Sequence, residues 1–432
     1  MIDSNIYNEI YNEIVKMPVI DTHEHLPWQE EQSYNDGRDV LQEYLRHYLK
    51  CDLISAGLKR NDFERVMDSN SSILERWNIV EPFWEVSRYT GYGRVLDIAV
   101  KAIYGIDGIN RNTIEELNNT FIKNKAPGHF EYVLKDLCNI HTSLLDIWTF
   151  RLEGENPLFR RIWQPQNFIN PMSPYEHDML SYIETHYSIN VRSLDDWLEA
   201  LERELDYMLA AYGVSVLKSC IAYFRSLRFE KVEYKTARDL FALTLDKWNN
   251  EGRNKGLGLE LPREVQDFMM HYILGLANKR NLIFQFHTGL QEGNGNIITN
   301  SDPSLMINLF MEYPDVNFDL FHISYPYQGI ASALCKNFPN VFIDMCWAHI
   351  MSPSACVQAL DVFLDAIPYN KISAFGGDYM FVDGVYGHLY IARQNVSKVL
   401  ATKVEQGIFD EGKAIEIARA LFFDNPKRIF KL

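Results

Sequence analysis

Cysteine is scarce in this chain. Six occur among 432 residues, at positions 51, 138, 220, 335, 346 and 356, with no CxxC pair and no regular spacing. That excludes a disulfide framework, and free thiols suit a reducing cytoplasm, the expected location. No uncharged apolar run is long enough to span a bilayer. The opening Met1-Ile2-Asp3-Ser4-Asn5 lacks the basic and then apolar order of a secretory leader, so none is expected. Positive charge is also short: 42 Lys and Arg against 58 Asp and Glu give a net charge of −16. Such a surface disfavours nucleic acid and anionic membrane as partners, and a small-molecule substrate is expected instead. Whether copies of the chain assemble is left open. There is no internal repeat, no low-complexity tract and no phosphate loop. The glycine-rich stretch Gln291-Glu292-Gly293-Asn294-Gly295-Asn296 has no Lys-Ser/Thr behind it and reads as a flexible pocket loop.

What is present is a large apolar fraction, 47% of residues, enough for one big domain. A helix over residues 3–16 follows from Ile6, Ile10 and Ile14 at fourfold spacing. A short strand comes next. From about 28 to 209 helical patterns dominate, and Val133–Ile140 and Phe168–Ile169 are the two stretches there that could hold a strand. A long helix, 193–212, ends at Gly213. Apolar strands then begin at Val214, Leu282, Val316, Val341 and Ile372, separated by amphipathic helices. Strand and helix in alternation indicate a parallel sheet covered by helices. The domain is expected to span 1–432, interrupted by a helical insertion at about 28–209.

The polar residue that closes each apolar strand carries the chemical signal. Val19-Ile20-Asp21-Thr22-His23-Glu24-His25 places two imidazoles on one strand face, where they can grip one ion. Lys218, His287, His322 and Asp378 close later strands. Singly, each has an ordinary reading: a hydrogen-bonded core histidine, a snorkelling lysine, a turn aspartate. Jointly, six candidate ligands at strand ends are hard to produce by chance. Tyr223 and Arg225, just past Lys218, are candidates for holding a substrate carboxylate, since the arginine fork matches it. Arg88 or Arg94 in the insertion could reach over the mouth. Trp347 and His349 read as packing residues.

His23-x-His25, Lys218, His287, His322 and Asp378 resemble, in order and spacing, the metal-ligand pattern of the amidohydrolase superfamily. Asp21-Thr22-His23-Glu24-His25-Leu26 and Leu217-Lys218-Ser219-Cys220 look most like its amidohydrolase-related branch, which includes the amidohydrolase-like half of fungal FluG proteins and of nodulin-fused glutamine synthetases. The long insertion is also similar to that of uronate isomerases. The resemblance implies an α/β fold, a (β/α)8 TIM-like barrel, and a divalent metal cofactor, zinc first, as one or two ions. It implies metal ligation by His23, His25, Lys218, His287, His322 and Asp378, with Lys218 carboxylated where it bridges two ions. Asp378, His322 and Lys218 would then be catalytic, a metal-activated water attacking an amide or related bond of a small carboxylate-bearing substrate. The alternatives are a uronate isomerase-like aldose–ketose isomerase and a metal-dependent decarboxylase.

Overall fold

Among the described residues, the apolar runs become eight short strands: β1 Val19–Glu24, β2 Ile140–Leu145, β3 Phe159–Arg161, β4 Val216–Ser219, β5 Ile283–Phe286, β6 Asn317–Leu320, β7 Val341–Asp344 and β8 Ile372–Ser373. The computed structural model describes residues 4–147, 151–171, 179–252 and 258–432. The strands form two arcs, β1-β2-β3 and β4-β5-β6-β7-β8, with every pair parallel. Backbone bonds join the arcs at both seams. Beyond β3, the Trp163 N–H donates to Val216 (3.1 Å) and its carbonyl accepts from Lys218 (2.9 Å). Beyond β8, Phe375 accepts from Thr22 (3.0 Å), Asp378 donates to His23 (2.8 Å) and Tyr379 accepts from His25 (3.1 Å). The ring is that of a (β/α)8 barrel, in which far-separated strand ends meet at one mouth.

Strands β1, β4, β5 and β7 are buried on both faces. One face fills the barrel and the other meets the outer helices. Those helices include Leu194–Tyr212, Arg263–Arg280, Gln328–Asn337, Pro353–Ala366 and Val382–Glu405. Ser193 caps the first of these with a capping box, and Gly213 closes it at φ 60°, as its sequence indicates. The N-terminal helix Ser4–Lys16 buries Ile10 and Ile14 and packs on Val382–Glu405; residue 3, its expected start, lies outside the described residues.

The expected insertion at 28–209 is divided by the structure. Its helical part runs from Glu31 to Leu137, and β2 and β3 then rejoin the barrel. The strand expected at Val133–Ile140 is a helical turn, Tyr132–Leu137, broken by Asn139 in the left-handed region (φ 54°), and the strand begins at Ile140. Asn tolerates that conformation, so the chain reverses there with little cost. Phe168 and Ile169 lie in a short helix, Gln166–Ile169, not in a strand. The insertion docks through its helix Gly91–Tyr104 along Val382–Glu405. Contact there is close enough that a Cβ on Gly387 would stand 2.3 Å from the Val95 carbonyl oxygen. Asp383 fastens the same interface, accepting from Tyr44 and Tyr104 (both 2.6 Å) and facing His129 Nε2 at 2.9 Å.

Candidate metal centre

The period of β1 sends His23 and His25 to one side, their rings 4.9 Å apart. The bond from Asp378 N–H to the His23 carbonyl brings the end of the eighth strand beside them. Asp378 Oδ1 is 3.2 Å from His25 Nε2 and 3.8 Å from His23 Nε2, and its Oδ2 is 3.9 Å from His322 Nε2. His322 Nε2 in turn faces His287 Nδ1 at 3.1 Å. Five of the six expected ligands therefore form one cluster. Lys218 is buried beside it, Nζ 3.6 Å from the centre of the Phe321 ring, which packs on His23 at 4.9 Å.

Backbone carbonyls fix the tautomers. His25 Nδ1 meets the Asp146 carbonyl (3.1 Å), His287 Nε2 the Leu290 carbonyl (2.8 Å) and His322 Nδ1 the Cys346 carbonyl (2.9 Å). A carbonyl only accepts, so these nitrogens carry the hydrogens. In the neutral rings of His287 and His322 the other nitrogen is then a bare lone pair aimed into the cluster. Burial holds His287 well below the ordinary histidine value, and likewise lowers His322 to about 4. Their two lone pairs thus oppose each other across 3.1 Å, an arrangement that asks for a cation between them. Burial also opposes protonation of His25, but its hydrogen bond to Asp378 and the charges of Asp146 and Asp378 outweigh this and raise it. Burial alone would raise Asp378, yet the hydrogen bond from His25 leads the causes that hold it well below the carboxylate range. Neither nitrogen of buried His23 makes a hydrogen bond. These donors, imidazoles around an ionised carboxylate, fit a divalent ion.

Among the described residues, two groups have ligand atoms that all lie within 4.8 Å of one another inside the group: His23, His25 and Asp146, and His322, Cys346 and Asp378. Asp146 and Cys346 are additions to the sequence-derived set. Both close apolar strands. Asp146 follows Leu144-Leu145 and is concealed in the sequence because the second strand is placed seven residues early. Its Oδ2 is 3.5 Å from His23 Nε2 and accepts from Gln164. Three residues of the site also hold left-handed backbone: His322, Trp347 and Asp378 have φ of 64°, 60° and 56°. Non-glycine residues held there cost of order 1–3 kcal/mol each, and such strain clusters at functional sites.

The insertion supplies the roof, which no local motif announces. Tyr48 donates to the Asp378 carbonyl (2.6 Å) and stacks on Trp347 (4.7 Å) and Tyr92 (5.2 Å). Trp347 packs edge-on to His322 at 5.1 Å. His47 is buried between Tyr48 and Tyr379, its Nδ1 without a hydrogen bond, and burial lowers it to about 3.

Of the expected substrate contacts, Tyr223 packs on His287 at 4.8 Å and so borders the cluster. Arg225 does not. It pairs with Asp267 (2.7 Å), donates to the Arg228 carbonyl (2.6 Å) and lines an outer groove with Leu240 and Gln266. Asp267 is buried, and neutralising it there takes precedence over reaching the mouth. Arg88 is bound to Asp97 (3.1 Å), and Arg94 lines a surface groove with Tyr7 and Lys398. Buried His349 hydrogen-bonds the Ala374 carbonyl (2.8 Å), the packing role expected of it.

No described helix is long and apolar enough to cross a membrane. In fold, the chain is similar to a uronate isomerase from Thermotoga maritima, with a TM-score of 0.78 and 16% identity over 99% of this chain and 98% of that one. It is also similar to a Lactobacillus casei protein assigned as a metal-dependent hydrolase, with a TM-score of 0.63 and 16% identity over 98% and 97% of the two chains. In sequence it is 27% identical to protein fluG of Emericella nidulans over 176 residues, 39% of this chain but only 20% of that protein's length. The profile of the amidohydrolase family matches residues 191–432, which include Lys218, His287, His322 and Asp378. With that match over more than half its length, the chain belongs to the amidohydrolase family.

Proposed function

We propose that the protein is a metal-dependent hydrolase that opens an amide or related bond in a small molecule. The observation that carries this reading is Asp378. It is an ionised carboxylate held between His25 and His322, 3.2 and 3.9 Å away, in a cluster of imidazole lone pairs. His23, His25, Asp146, His287, His322 and Asp378 would hold the ion, with Cys346 and Lys218 at its edge; this donor set suits zinc. Such an ion polarises a carbonyl and makes water nucleophilic at neutral pH. Asp378 takes the proton of the attacking water at its carboxylate and returns it to the departing group. His322, fixed by the Cys346 carbonyl, keeps its Nε2 lone pair turned to the same place and would help to hold the ion. The Tyr48–Trp347 stack keeps bulk water from the reacting atoms.

Arg225, the partner expected for a substrate carboxylate, is bound to Asp267 and does not supply that contact. Similarity to a uronate isomerase along nearly the whole chain, insertion included, favours a second reading, aldose–ketose isomerisation at the same ligands. The deciding experiment incubates zinc- or manganese-loaded protein with N-acyl and γ-glutamyl amides and with uronates. Amine release is expected. Conversion of a uronate to its keto isomer, with no amide cleaved, would replace the hydrolase by the isomerase.

A further inference from the structure

The loop after β5 holds a carboxylate that the hydrolytic chemistry does not use. Glu292 donates its backbone N–H to Tyr223 Oη (2.9 Å), and its carbonyl accepts from Asn296 Nδ2 (2.8 Å). Tyr223 is the ring packed on His287, so Glu292 is fixed one residue away from the cluster. The loop is tied to the insertion as well: Asn294 Nδ2 donates to the Cys51 carbonyl (3.2 Å). The Glu292 side chain therefore stands where the strand-five loop meets the insertion, half-buried, within the electrostatic field of both Asp378 and His25.

Its own partners are poor. The Cys51 thiol lies 3.9 Å from Oε1, and among the described residues no cationic nitrogen is within ion-pair distance. Lys50 is near in charge, but its Nζ sits 5.0 Å from the centre of the Phe63 ring. The half-buried carboxylate keeps access to solvent, and with a thiol as its side-chain neighbour it has room for a further donor. Of the arginines considered for an anionic substrate, Arg225 is bound to Asp267, Arg88 to Asp97, and Arg94 lines a surface groove.

We infer that Glu292 is a specificity-determining residue that receives a cationic nitrogen group, ammonium or guanidinium, at the non-reacting end of the substrate. This deepens the hydrolase reading and rests on it for the bond that is cleaved, but not for the recognition itself. A charged N–H donor would complete the carboxylate with a charge-assisted hydrogen bond, whereas a carboxylate brought to the same place would be repelled.

The test has a binding arm and a turnover arm. In the first, butylammonium, butylguanidinium and butyrate are titrated into the metal-loaded protein and, separately, the metal-free protein, and the melting temperature is followed. The two cations should raise it and butyrate should not; their relative effect separates ammonium from guanidinium. Glu292→Gln should abolish the rise, and Glu292→Asp should keep part of it. In the second arm, paired amides differing only in an ammonium or a methyl at the far end are compared. The ammonium form should be favoured about tenfold in kcat/KM, carried mainly by KM, and the ratio should fall to about one in Glu292→Gln. Stronger protection by butyrate than by butylammonium, or an unchanged probe order in Glu292→Gln, would overturn the inference. Cation binding that depends on Glu292 without cleavage of any amide would support the inference and refute the hydrolase reading instead.

Discussion

His287 Nδ1 and His322 Nε2 stand 3.1 Å apart with no hydrogen between them when both rings are neutral, because each ring's other nitrogen donates to a backbone carbonyl. Two buried lone pairs in opposition destabilise the fold unless a cation lies near both. Metal removal should therefore be felt in stability as well as in turnover. Ion at about 1,000 times its Kd should stabilise the folded chain by about 4 kcal/mol relative to the chelated form. Elemental analysis with parallel melts checks this; protein purified without chelator that holds no metal and takes up neither zinc nor manganese would contradict it.

Asp378→Asn keeps the shape of the side chain but removes the proton acceptor. Turnover should fall by about 100- to 10,000-fold with KM less affected. Asp378→Ala should also weaken ion binding, since the carboxylate faces three imidazoles. Comparing kcat and bound metal in the two variants separates the proton role from the ligand role.

Asp383 should govern how firmly the insertion is held. It is buried and joins Tyr44, Tyr104 and His129, all from the insertion, to the helix after β8. Asp383→Ala should destabilise the protein by about 3 kcal/mol, as expected when one member of a buried charged network is deleted. The pH dependence has two sides. Burial opposes protonation of His129, but Asp383 outweighs it and raises the folded value above 6.5. That contribution is complete below about 6.5 and is lost as pH rises through the raised value. Asp383 is lowered, its hydrogen bonds and the His129 charge overcoming burial, so its contribution is present above about 3.8 and lost as pH falls through the lowered value. Urea melts of wild type and His129→Gln should thus differ most in mildly acidic solution and converge as the solution is made alkaline.

The barrel was readable because its signals are local. Strands from Val216 onward are apolar runs closed by a polar residue, and Gly213 marks the helix end before them. His23 and His25 were readable from the alternation of a single strand. The second strand was not, because Val133 and Leu134 are as apolar as Leu144 and Leu145, and only the left-handed turn at Asn139 separates helix from strand. That one displacement hid Asp146. His47 and Tyr48 carry no local signal, since tertiary docking of the insertion brings them to the mouth, and Glu292 is marked only by the glycine-rich loop that holds it. Arg225 misled for the converse reason: a sequence shows that a guanidinium is near a strand end, but not that a buried Asp267 is nearer.

Lys218 is delivered by β4 to a buried place beside Phe321, next to the imidazole cluster. If it bridges two ions as a carbamate, Lys218→Ala should lower bound metal by about half and turnover by about 100-fold or more. Bicarbonate added during metal loading should raise the activity of wild type but not of the variant. Unchanged metal content together with unchanged turnover in Lys218→Ala would remove the lysine from the site.

The last prediction concerns Asp146, the ligand candidate that the sequence concealed. Its carboxylate is buried, 3.5 Å from His23 Nε2, with Gln164 donating to the same oxygen and Oδ1 left without a hydrogen bond. Its backbone carbonyl fixes the tautomer of His25. Asp146→Asn preserves the carbonyl and the volume but removes the charge, so it isolates the carboxylate's part. If Asp146 ligates the ion or orients His23 toward it, the variant should bind metal about 10- to 100-fold more weakly, the range for outer partners of metal ligands and a lower bound for a ligand itself. Its metal-free form should melt near wild type, because His23 meets no hydrogen-bond partner in either case. Titration of the chelated proteins with zinc, followed by calorimetry, measures the difference directly. Equal zinc affinity in the two proteins would place Asp146 among the structural carboxylates of the barrel and leave Asp378 as the carboxylate ligand.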